Sequence, residues 1–223
     1  KPIGVLSSTE DRKQKTVLDL ITEKHRKDLF PVGRLDKDSE GLILIMNDGQ
    51  LAHTLLSPKN HIEKRYYIEI PVLLEDSDIA PLRFGIQYDK DLIAEPAKVR
   101  ILSAEKEKTA IEIIITEGKF HQIKKMFLAL SENYIVTKLK RLSMGKVVLD
   151  ENLAPGGYRR LSAEEIEALK DKSEMDGMMA EMAEYLPQVK EVLIDERDRY
   201  LATKIWNAPG KKTVAVLGAG HLE

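Results

Sequence analysis

The sequence predicts a mixed α+β domain over residues 1–170, a largely antiparallel sheet flanked by helices, followed by a small α/β appendage over residues 171–223. Three observations lead there. Short apolar runs bounded by turn residues recur, as strands require. Segments with apolar residues at helical spacing lie between them, without the strict strand–helix–strand rhythm of a parallel sheet. After Lys170 the composition turns acidic and Met-rich, which marks a change of unit.

Taken in order, Ile3 to Leu6 is an apolar strand candidate, closed by the turn cluster Ser7-Ser8-Thr9. Thr16 to Leu29 places Val17, Leu20 and Ile21 at helical spacing and predicts a helix, broken by Pro31 and Gly33. Gly41 to Met46 is a continuous apolar run ending at Asn47-Asp48-Gly49, and predicts a buried strand. Gln50 to Leu56 predicts a short helix stopped by Pro58. A strand is expected over Arg65–Ile70 and a helix over Asp76–Phe84. Ala97–Leu102 and Thr109–Thr116 read as paired strands across a polar link. Phe120, Ile123, Phe127 and Leu130 define a helix over Lys119–Leu130. Tyr134–Leu139 and Lys146–Leu149 return to strand character. Ser162-Ala163-Glu164-Glu165 matches a capping box, so a helix should run from there to about Lys170. Beyond it lie the Met175, Met178, Met179 and Met182 stripe, which suits core packing or a partner surface, and a strand over Thr213–Leu217.

With 223 residues, the chain is long enough to bury a core. Hydrophobic residues make up 43% and charged residues 32%, the balance of a globular protein in water. No apolar run reaches the roughly 18–20 residues of a spanning helix, which argues against a membrane protein. Cysteine is absent, so neither a disulfide framework nor a thiolate metal site can form, and a cytoplasmic setting fits. Net charge is −2, which does not by itself suggest a nucleic-acid binder. Yet between Lys119 and Arg160 nine basic residues face three acidic ones, an excess of +6 that suits either a phosphate-binding face or a solvated surface.

Asp36 follows Gly33-Arg34-Leu35 and precedes the apolar run at Gly41. A carboxylate at the mouth of a buried strand is well placed to meet a ligand, but a lone loop Asp more often caps its neighbours. The surrounding string is more telling. Gly33-Arg34-Leu35-Asp36-Lys37-Asp38-Ser39-Glu40-Gly41, continuing to Gly49, resembles the signature of the RsuA/RluB family of ribosomal RNA pseudouridine synthases. Lys1-Pro2-Ile3-Gly4-Val5, Glu63-Lys64-Arg65-Tyr66 and Glu117-Gly118-Lys119-Phe120-His121-Gln122-Ile123-Lys124-Lys125 resemble three further motifs of that family, in order.

The resemblance implies the fold of that catalytic domain and the isomerisation of uridine to pseudouridine in ribosomal RNA, with no metal or organic cofactor. It implies a catalytic set of Asp36 as nucleophile or steering anion, Tyr66 beneath the flipped base, and Lys124 as the aspartate's basic partner, where several relatives carry Arg. RNA contacts are expected from Arg34, Lys119, His121, Gln122, Lys125, Lys140 and Arg141, with His121 also readable as a plain surface histidine. The Lys-Phe-His-Gln string and Asn152–Arg159 resemble the small-subunit branch, which implies ribosomal RNA or a pre-ribosomal small subunit as partner and a monomeric enzyme. Family members carry a small RNA-binding domain before the catalytic one; Lys1 already lies in the first motif, so that domain is expected to be missing. Val189–Ala202 and Val214–His221 resemble the TraB/PrgY family over about fifty residues, which implies a fragment. Its single Gly-x-x-His cannot supply the three or four ligands of a metal site. A non-catalytic RNA-binding or assembly protein and a metal-dependent hydrolase centred on the tail are the competing readings.

Overall fold

The computed structural model describes residues 1–23 and 27–170. The Met stripe, the strand expected over Thr213–Leu217 and His221 lie outside those residues.

Ten strands are described: β1 (Phe30–Val32), β2 (Glu40–Gly41), β3 (Leu44–Met46), β4 (Lys64–Ile70), β5 (Gln87–Asp89), β6 (Leu92–Ile93), β7 (Lys98–Glu105), β8 (Lys108–Ile115), β9 (Lys138–Met144) and β10 (Val147–Val148). The helices are α1 (Gly49–Leu56), α2 (Asp76–Ile79), α3 (Gln122–Leu130) and α4 over residues 163–170. The main sheet runs β10-β9-β4-β8-β7, every neighbour antiparallel, and β2 joins β9 in parallel. This is the largely antiparallel α+β architecture that the alternating segments predicted.

Along β4 burial alternates strictly, so Lys64, Tyr66, Ile68 and Ile70 face inward while Arg65, Tyr67 and Glu69 face outward. The inward face meets Ile111, Ile113 and Ile115 of β8 and is covered by Ile123, Met126 and Phe127 of α3. A second cluster joins Val32, Leu44, Ala52, Leu55, Met144 and Leu169, so α1 and α4 close over the β1–β3 pair. Ser162 and Glu165 form the capping box: Oγ of Ser162 accepts from the Glu165 amide, and the Glu165 carboxylate accepts from the Ser162 amide.

Several expectations need correction. Of the helix expected over Thr16–Leu29, the described residues show one 3₁₀ turn, Leu18–Leu20. The Asp19 carboxylate accepts from the amide and hydroxyl of Thr16 and starts that one turn, while the Val17 amide is drawn to the Leu6 carbonyl across the Leu6–Thr16 bridge. The strand over Ile3–Leu6 is only that bridge. The run Gly41–Met46 is not one strand but the end of β2 and all of β3, which belong to different sheets and are only partly buried. The helix over Asp76–Phe84 tightens to 3₁₀ from Ala80 because Pro81 cannot donate. Helix α3 begins at Gln122 rather than Lys119, since His121 adopts a left-handed conformation.

Candidate active site

Asp36 sits in the loop between β1 and β2. Gly33 opens that loop at φ +74, where a Cβ would press on Leu56 at 3.0 Å. Ser7 Oγ receives the Leu35 amide (3.0 Å) and donates back to the Leu35 carbonyl (2.8 Å), pinning the residue before the aspartate. Lys1 pins the residues after it. Its ammonium donates to the carbonyls of Asp36 (2.9 Å), Ser39 (2.6 Å) and Pro2 (3.1 Å). Burial pushes that ammonium down to about 8, against the pull of Asp36, Asp38 and Glu40. Three well-aligned carbonyls on one half-buried cation make a rigid loop, so the Asp36 carboxylate is held in a set direction.

The direction is toward α3. Asp36 Oδ2 lies 3.2 Å from Lys124 Nζ and Oδ1 lies 3.3 Å from His121 Nε2, an ion pair when the imidazole is protonated. The same Lys124 ammonium donates to both oxygens of Asp38, at 2.7 and 2.9 Å. Burial works to lower the pKa of Lys124, yet its bonds to Asp38 and Asp36 outweigh burial and the net shift is upward. Lys124 therefore stays charged between two carboxylates.

Tyr66 forms the floor. It is buried, and in the sheet it lies between Ile113 of β8 and Arg141 of β9. Beside it lie two buried cations. Lys64 donates to the carbonyls of Ile62 (2.9 Å) and Thr116 (3.0 Å). Arg141 donates through Nε to Leu42 (2.7 Å), while its Nη2 is buried with no hydrogen-bond partner among the described residues. Asp36, Tyr66, Lys64, Arg141, Arg34, Lys119, His121, Gln122 and Lys124 line one open cleft of about 90 Å³.

The expected residues thus divide. Asp36, Tyr66 and Lys124 converge on that cleft, with Arg34, Lys119 and His121 around them. Gln122, expected as an RNA contact, lines the cleft too but is buried; it donates to the Glu117 carboxylate and accepts from the Lys119 amide (2.9 Å). It braces the α3 entrance. Lys125 points off the cleft and pairs with Asp89 of β5. Lys140 and Arg141, grouped together by charge, lie on opposite faces of β9 because neighbouring strand residues alternate: Arg141 is buried in the cleft, and Lys140 lies opposite Tyr67. The +6 stretch is therefore not one face, and Arg159 within it is tied to Glu165. Lys1, Asp38 and Lys64 were not expected to act here. Lys1 and Lys64 stood inside recognised motifs, but only the folded chain shows which carbonyls they reach. Among the described residues no group of three or more His, Asp or Glu side chains could hold a metal ion.

Comparison with known proteins gives the family. The family model described as RNA pseudouridylate synthase matches residues 1–129. A second model, the TraB/PrgY/gumN family, matches residues 86–223, a longer stretch than the tail resemblance had suggested. Residues 86–129, matched by both, include β5 to β8 and all of α3 but its last residue. An uncharacterised RNA pseudouridine synthase of Bacillus subtilis (strain 168) is 49% identical over 172 residues, covering 77% of this chain and 71% of that protein. The ribosomal small subunit pseudouridine synthase A of Escherichia coli (strain K12) is 38% identical over 168 residues, covering 74% of this chain and 70% of the other. Among solved structures, a crystal structure of a pseudouridylate synthase superposes with a TM-score of 0.69 at 36% identity, covering 76% of this chain and 70% of its own.

Proposed function

The chain belongs to the RNA pseudouridylate synthase family through residues 1–129 and to the TraB/PrgY/gumN family through residues 86–223, and from the first membership we propose that it converts a uridine of ribosomal RNA to pseudouridine with Asp36 as the reacting carboxylate. The observation that carries this reading is the bracketing of Asp36 by Lys124 and His121 above Tyr66 in one cleft.

Pseudouridine formation breaks the bond between the ribose and the base nitrogen, turns the uracil, and rebonds it through a ring carbon, from which a proton leaves. The atoms balance without an oxidant or a second substrate. A carboxylate serves this chemistry as a nucleophile on the sugar or as the anion opposite the positive charge that grows there. Lys124 pairs with Asp36 and orients it; Tyr66 supports the extruded base from below. The base must leave its stack to reach a carboxylate inside a cleft. The orphaned Arg141 Nη2 is a donor that an oxygen of the bound nucleotide would satisfy. Arg34, Lys119 and His121 at the mouth would meet phosphates, with Lys125 and Lys140 further out.

The relatives named for the ribosomal small subunit make small-subunit RNA, in the cytoplasm, the favoured substrate. No described helix is long and apolar enough to cross a membrane. The catalytic domain is assigned to residues 1–170 and residues 171–223 to a separate TraB-like unit; chain contacts divide after Ser173, which supports a boundary there.

Mapping pseudouridine in ribosomal RNA from cells whose only copy carries Asp36→Asn tests the reading. Loss of one modified site is expected, and an unchanged map would sink it.

A further inference from the structure

We propose that Phe120 is a stacking platform for an unpaired nucleobase next to the extruded uridine, which extends the RNA reading above and rests on it. Phe120 is 69% exposed. A solitary exposed apolar residue is ordinary and by itself implies nothing. This one is built into the cleft's rim. Its ring stacks on the His121 imidazole with centroids 3.7 Å apart and planes at 23°. His121 in turn reaches Asp36, so Phe120 and His121 form a layered arm that begins at the reacting carboxylate and ends in solvent.

The backbone is strained to hold that arm outward. His121 sits at φ +54, a left-handed conformation that a residue with a side chain keeps only when its surroundings enforce it. The surroundings do so. The buried Gln122 side chain ties the Lys119 amide and the Glu117 carboxylate together, and the Lys125 amide donates to the His121 carbonyl (3.0 Å). Strain over-determined by buried bonds beside a reacting group marks a functional constraint. Here it turns a flat, apolar ring into water between two cleft-lining residues, Lys119 and His121.

An unpaired base is the occupant that matches. Pulling a uridine out of a stack leaves its neighbours without a partner on one face, and unstacked RNA bases are captured on aromatic side chains. Stacking is tolerant of sequence, so the platform needs no particular base.

The test measures binding of a fluorescein-labelled ten-residue oligouridine by anisotropy, and KM and kcat on a small-subunit RNA transcript. Phe120→Ala should weaken oligouridine binding by about 5- to 150-fold, the range of one lost base stack. Its loss on the transcript should fall on KM rather than kcat. Phe120→Trp should bind at least as well as the parent, and Phe120→Leu should stay as weak as the alanine variant. Phe84→Ala, which removes an equally bare ring elsewhere (Phe84 is 83% exposed), should bind as the parent does. Binding by Phe120→Ala within twofold of the parent would overturn the proposal; so would rescue by Leu, which would mean a generic apolar contact such as a protein partner. If the parent forms no pseudouridine yet Phe120→Ala still weakens oligouridine binding, the activity assigned above falls and the platform stands.

Discussion

Replacing Gly41 with alanine should cost the domain about 3–5 kcal/mol and cripple the cleft, although Gly41 touches no substrate. Gly41 has φ +112, a conformation that residues with side chains rarely adopt. That alone costs on the order of 1–3 kcal/mol. A Cβ there would also lie 2.5 Å from the backbone nitrogen of Arg141 and 2.9 Å from its carbonyl carbon, inside contact distance of atoms that cannot swing aside. Strand β9 is locked between β4 and β10, so the movement must come from β2. Moving β2 breaks the Leu42 amide's bond to the Arg141 carbonyl (2.8 Å) and the Arg141 Nε bond to Leu42 (2.7 Å), each worth about 1 kcal/mol. For a domain whose whole stability is about 5–15 kcal/mol the loss is large, and it corresponds to a Tm drop of roughly 6–20 °C. Urea unfolding gives the stability, and pseudouridine formation at a temperature where the variant is folded gives the effect on the Asp36 loop. Gly49→Ala is the control: nothing lies within 4 Å of its would-be Cβ, and it begins α1, so stability should hold or rise by up to about 1 kcal/mol. A Gly41→Ala protein within about 0.5 kcal/mol of the parent, with unchanged kcat, would refute the claimed contact of β2 with β9.

Other outcomes follow from the same geometry. Lys124→Met leaves Asp36 and Asp38 without their shared cation and should lower kcat by about 10²–10³-fold, while Lys124→Arg keeps a substantial part; release of the ring-carbon proton from labelled RNA reads both. Lys1→Met removes the donor to the Asp36, Ser39 and Pro2 carbonyls and should cost about 2 kcal/mol in urea unfolding, together with faster proteolysis of the 33–39 loop. Glu165 is held at about 2, chiefly by the Arg159 guanidinium and then by the Ser162 amide. Because that folded value lies below the ordinary 4.5, its contribution is complete above pH 4.5 and fades as pH falls toward 2. Screening at this partly exposed pair leaves about 1 kcal/mol, so Glu165→Gln should be about that much less stable at pH 7 in urea unfolding, with the gap closing below pH 4.5.

Local pattern carried β4, β8 and α1 to within a residue at each end, because strand alternation and helix spacing are read along the chain and these segments obey them without competition, while β7 runs three residues past the expected Leu102, to Glu105. After Thr16, where helical spacing predicted a long helix, the described residues form only the turn Leu18–Leu20, so spacing misled there. The convergence of Asp36, Tyr66 and Lys124 was anticipated through ordered motifs, not through any property of the residues taken singly. Charge counting failed at Lys140 and Arg141, since a run of basic residues has no sense of which side of a strand each one takes.

Composition and order along the chain were enough for the fold class, most of the sheet and the carboxylate to watch. Those are short-range matters, decided by periodicity, turn chemistry and motif. The rest needed the folded chain. That Lys1 clamps the loop of Asp36 and that Lys124 divides itself between two carboxylates depend on contacts between residues up to 88 positions apart. Such contacts are set by how β2, β4, β9 and α3 pack. The direction of Asp36, from which its chemistry follows, is a property of that packing.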